Sequence, residues 1–168
     1  HPAKRERVAI VVDSAASLPA DIAQQSLLWT VPLNLTVGGR SYLDGVSVSP
    51  TEFYRMLRAS ATLPTTAAPT PASYLQAFRE AAHRAGSILC LTVASKFSAS
   101  FDSATAAARD AKDAIPDVAI TLLDSGTAAG GEGLVALEAL RTATQGGDLD
   151  GVARSARRVV ERVTVIAF

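Results

Sequence analysis

Val8-Ala9-Ile10-Val11-Val12-Asp13-Ser14 is the stretch on which the fold turns. Five aliphatic residues stand in a row with no polar alternation, and most are β-branched, which predicts a strand covered on both faces. It ends abruptly at Asp13-Ser14. The same kind of apolar run returns at 88–93 and 118–123, and the second of these again ends in Asp124-Ser125. Helical stretches separate the runs: one over 19–25 with Pro19 at its start, one after Ser49-Pro50-Thr51-Glu52, one from Pro71 to Arg84, and an Ala-rich one reaching Ala114. Ser49 and Glu52 have the spacing of a capping box, and Pro is favoured at a first helical position. Strands alternating with helices predict an α/β fold with a mainly parallel sheet flanked by helices.

Working outward, 28–37 reads as a second strand, with Pro32 marking an edge or a bulge. Gly38-Gly39 and Asp44-Gly45 read as turns around a short strand at 41–43. The segment 62–71 is rich in Thr and Pro, has no strand or helix period, and reads as a loop. Residues 1–146 form one α/β unit in this reading. Gly146-Gly147 opens the start of a second α/β unit over 147–168, an amphipathic helix and a strand at 163–168, which predicts that more chain follows.

Composition narrows the function classes. Of 168 residues, 48% are hydrophobic but only 5% aromatic, and sixteen basic residues balance sixteen acidic ones. No concentrated basic face exists for a nucleic-acid partner. A single cysteine, Cys90, lies within the apolar run 88–93 and reads as a buried thiol, pointing to a reducing, cytoplasmic setting. The charged start lacks an apolar leader, and no run approaches the roughly 18 apolar residues of a membrane span, so stable membrane insertion is not expected. Two histidines and one cysteine offer no metal-ligand spacing, so no metal is expected. Neither a Gly-x-Ser-x-Gly elbow, a dinucleotide glycine fingerprint nor a Walker lysine is present.

What remains is a set of hydroxyl-bearing turns at strand ends: Ser14, Thr66, Thr70, Ser95, Ser98, Ser100 and Ser125. Ligands of parallel α/β sheets sit beyond the carboxyl ends of the strands, where helix-start amides and hydroxyls bind anions. Thr70 and Ser49 read as caps. Ser95, Ser98 and Ser100 crowd one turn more densely than capping requires. Asp13 or Asp124 could alternatively act as acid, base or nucleophile in a phosphotransferase or phosphate-ester-handling enzyme, although a carboxylate that accepts hydrogen bonds from its own turn is the commoner role.

Several motifs occur in order along the chain: Val12-Asp13-Ser14, Leu18-Pro19, Val31-Pro32-Leu33, Tyr42-x-Asp44-Gly45, Ser49-x-x-Glu52-Phe53-Tyr54, Pro64-x-Thr66-x-x-Pro69-Thr70, Ser95-x-x-Ser98-x-Ser100-Phe101, and Leu123-Asp124-Ser125 followed by glycines. Together they resemble the DegV family. The resemblance implies a fatty-acid-binding protein of bacteria that needs no cofactor and is not itself an enzyme. It holds a long-chain fatty acid by its carboxylate and presents it to a fatty acid kinase for phosphorylation to an acyl phosphate. The family's Thr-Ser-Gln-Pro-Ser loop and Ser-Gly-Thr turn hold the head group and carry over to Thr66 and Ser98. Ser100, Ser95 and Ser14 are the further candidate ligands, and Asp13, Asp124 and Ser125 shape the site. Departures fall at Ala67 and Ala68 in the loop, at Ala99 in place of Gly, which disfavours a positive φ, at Ser100 in place of Thr, and at Phe101 in place of Tyr. The acyl tunnel is expected against Leu33, Leu35, Phe97, Phe101 and Leu134, positions that core packing would explain equally well.

Overall fold

The computed structural model describes residues 6–166. Its elements in order are β1 (Val8–Asp13), a 3-10 turn (Ser14–Ala16), α1 (Ala20–Ala23), β2 (Leu28–Val31), β3 (Asn34–Val37), β4 (Arg40–Leu43), α2 (Pro50–Ala59), β5 (Thr65–Ala67), α3 (Pro71–Ala82), β6 (Ser87–Thr92), α4 (Ser100–Ala114), β7 (Ala119–Asp124), α5 (Gly130–Thr144) and α6 (Leu149–Val160). Four strands make a parallel sheet in the order β2-β1-β6-β7. All six residues of β1 are buried, as expected of a strand paired on both edges and covered on both faces.

Alternation along the strands divides the core in two. Val8, Ile10, Val12, Leu89 and Leu91 face Val135, Ala136 and Ala139 of α5 and Val152, Ala153 and Ala156 of α6. Ala9, Val11, Ile88 and Cys90 face Tyr74 and Phe78 of α3 and Ala104, Ala107 and Ala111 of α4. The many alanines let these helices lie close on the sheet. Burying Phe78 completely contributes about 2–3 kcal/mol. α2 begins with the expected capping box, and Thr70 caps α3 by accepting from the Ser73 amide.

Three expectations are corrected. The segment 28–37 is two strands, because Pro32 lacks the donor that would continue the ladder; β2 joins the parallel sheet and β3 leaves it. The segment 62–71 is not all loop. Its Thr65–Ala67 stretch is β5, pairing with β3 in a second, antiparallel sheet of order β4-β3-β5. A tight turn at Gly38-Gly39, with φ of +56° and +75°, joins β3 to β4. Finally, the helix read as opening a second unit after residue 146 belongs to the first, because α6 packs on α5 and on the main sheet within one core. Residues 163–166 join no sheet, and the end of the expected strand, Ala167 and Phe168, lies outside the described residues.

Candidate functional site

The order in which strands are added to the parallel sheet reverses between β1 and β6: from β1 the chain steps outward to β2, then returns to β6 on the other side. A crevice therefore opens beyond their carboxyl ends. The small antiparallel sheet stands over this crevice and closes it into a groove of about 520 Å³. One wall is the turn Ser14, Ala15 and Ser17; another is Leu33, Leu35, Asp44, Thr66, Ala67 and Ala68; the third is Val93, Phe97, Ser98 and Ala99.

Three of the five expected ligand residues meet here: Ser14, Thr66 and Ser98. Ser14 ties the two sheets together, since its hydroxyl donates to Asp44 Oδ2 at 2.6 Å and accepts the Leu33 amide at 3.0 Å. Thr66 is exposed on β5, opposite Leu35. Ser98 accepts the Ser100 amide at 3.2 Å and shares a 2.9 Å hydroxyl contact with Ser100. Ser100 is fully buried beneath it and supports Ser98 instead of lining the groove. The remaining candidate, Ser95, is turned away: its amide and hydroxyl both bond to Asp124. Ser125 is buried in its own turn, bonded to both Thr127 backbone groups.

The two aspartates are committed. Asp13 is buried and accepts from the Val93 amide at 2.9 Å, the Ala15 amide at 3.1 Å and the Tyr74 hydroxyl at 3.4 Å. Asp124 accepts from Ser95 and, at 2.9 Å, from the Gly126 amide. Asp13 is shut off from solvent, and Asp124, half-buried, is held by its own turn. Of the expected tunnel residues, Leu33, Leu35 and Phe97 line the groove; Phe101 and Leu134 do not, and Leu134 is exposed. Ala99 adopts φ −79°, so the replacement of Gly costs nothing there. It offers α4 no capping side chain, and the first-turn amides have no intrahelical acceptor. No cation lines the groove, but Lys96 Nζ lies 4.9 Å from the Phe97 ring centre near its rim.

Sequence reasoning missed the acid beneath this floor. Glu132, in the first turn of α5, is fully buried, and neither of its oxygens makes a well-aligned hydrogen bond among the described residues. Burial first, then the facing Asp13 carboxyl, pushes its pKa up to about 10. Burial also raises Asp13, against the pull of its amide donors, and raises Tyr74 and Cys90. In Gly130-Gly131-Glu132-Gly133 the glutamate looks like a solvated helix-start residue. Gly133 is the only hint: a Cβ there would come within 2.8 Å of Ala16 O, so α5 lies directly on the turn after β1. Among the described residues no cluster of His, Cys, Asp and Glu could hold a metal, and no helix is long and apolar enough to cross a membrane.

A model of the family described as "Uncharacterised protein, DegV family" matches residues 7–167. The chain belongs to the DegV family. A DegV domain-containing protein of Caldanaerobacter subterraneus is 29% identical over 158 residues, covering 94% of this chain and 55% of the relative. Among solved structures, a DegV family protein of Thermus thermophilus, reported for fatty acid binding, superposes with a TM-score of 0.80 at 30% identity, covering 92% of this chain and 54% of that one. A stearic acid-binding protein of Eubacterium ventriosum gives a TM-score of 0.80 at 26% identity, covering 89% and 52%. Both are named for binding, not for catalysis. The DegV chain described here thus spans about half the length of the relatives that it matches.

Proposed function

We propose that this chain contributes the head-group half of a fatty-acid site, with Thr66 and Ser98 holding the carboxylate and Leu33, Leu35 and Phe97 receiving the first methylenes. The observation that carries the reading is the groove itself, where two hydroxyls from opposite walls stand beside the apolar side chains of Leu33, Leu35 and Phe97. Hydroxyls beside the positive end of a helix favour an anion without a full positive charge. Affinity comes from the chain, at about 0.8 kcal/mol for each buried methylene, and the hydroxyls set orientation. The similar Thermus and Eubacterium proteins, which bind fatty acid and stearic acid by name, support the same ligand class. The role is carriage, not turnover. Presentation of the carboxylate to a kinase is the finer step that the family resemblance implies, in a cytoplasmic protein. An acyl phosphate formed only when kinase, ATP and the loaded protein are combined would test it.

Carboxylate recognition has a direct test. Titration of the intact protein with oleate and with methyl oleate should show the acid binding at least tenfold more tightly. Equal affinities would mean that the groove does not read the carboxylate.

A further inference from the structure

We propose that Glu132 is a positioning residue for the groove: packed beneath the ends of β1 and β6, it holds Asp13 in the orientation that clamps the Ala15 and Val93 amides. The inference rests on reading the groove as a head-group site.

Ala15 and Val93 line the groove from two segments far apart in sequence. Asp13 joins them, taking the Val93 amide on Oδ2 and the Ala15 amide on Oδ1. One carboxylate therefore sets the spacing between the turn that carries Ser14 and the loop that carries Ser98. Glu132 reaches this point because α5 packs without clearance under that turn, as Gly133 against the Ala16 carbonyl shows. Its carboxyl is fully buried and faces Asp13, with no well-aligned hydrogen bond to any described group.

Two carboxyls facing each other away from water do not both ionise. Asp13 has two amides and a phenol to stabilise its charge; Glu132 has none. The shared proton therefore stays on Glu132, and Asp13 remains the acceptor that the two amides hold. The other titratable groups that act on the pair are Tyr74 of α3, Cys90 of β6 and Asp124 of β7, none of them a cation. An acid that must keep its proton in a folded protein works against stability at neutral pH, and a leucine would fill the same space without that penalty. Holding Asp13 is the role that accounts for an acid at this position.

The test compares the intact protein with E132Q and E132L, following oleate affinity, melting temperature and amide exchange at Ala15 and Val93. The amide of glutamine replaces the O–H donor, so E132Q should keep both amides protected and bind within twofold of the parent. E132L should melt at or above the parent temperature, exchange Ala15 and Val93 at least tenfold faster, and bind oleate about tenfold more weakly. Unchanged exchange at both amides in E132L would overturn the proposal. Failure of the parent to bind oleate would instead remove the fatty-acid reading, and amide exchange would still decide the clamp.

Discussion

At the scale of single residues, the hydroxyls divide by what their hydrogens are doing. The Ser14 hydrogen is spent on Asp44 and that of Ser95 on Asp124, whereas Ser98 stands beside Ser100, whose own hydroxyl can fill the shared contact and leave the Ser98 hydrogen for a ligand. S98A should therefore weaken oleate binding about five- to tenfold, the worth of roughly 1 kcal/mol for one hydrogen bond. The melting temperature should stay nearly unchanged, because the fold loses only two local contacts to Ser100, one to its amide and one to its hydroxyl. A fall in stability matching the fall in affinity would make Ser98 a helix-start support. Glu132 gives a second prediction at this scale. Its folded pKa of about 10 lies above its ordinary value of 4.5. Between those values the folded chain holds one proton more than the unfolded chain, so this group lowers stability as pH rises, by up to about 1.4 kcal/mol per unit. The raised Asp13 pKa acts in the same direction. E132Q should be more stable than the parent at pH 8, and its urea midpoint should fall less steeply between pH 5 and 9; parallel slopes would contradict the buried neutral acid.

Among the elements, α6 is the one whose place the structure changes. Val152 is fully buried in the core that β1 and α5 share. V152A should cost about 2 kcal/mol in a single transition shared with the main sheet. A separate early transition for α6 would mean that it is an independent unit. This placement was hard to read because the Gly146-Gly147 break followed by an amphipathic helix looks the same whether the apolar face closes an old core or opens a new one. β1, by contrast, was legible: five aliphatic residues in a row, four of them β-branched and stopped at once by Asp13-Ser14, suit a strand covered on both faces. β5 left no pattern because its three residues are exposed and set between Pro64 and Pro69. For the site, strand-end hydroxyls could be named from sequence. Which of them face the groove depends on Asp124 capturing Ser95 and on the small sheet bringing Thr66 over Ser98, and both are contacts between distant segments.

On the scale of the whole molecule, the parallel sheet provides a rigid floor and the antiparallel sheet a wall, and Ser14 ties the two together through Asp44 and the Leu33 amide. A groove of about 520 Å³ that is open to one side suits the head of a lipid better than its full length, in keeping with a chain that spans about half of its DegV relatives. The central claim is that the intact protein carries a fatty acid, and native mass spectrometry of the freshly isolated protein tests it most directly. The account predicts one fatty acid per chain, released on denaturation and replaced by added oleate. A protein that is isolated empty and takes up no oleate would contradict it.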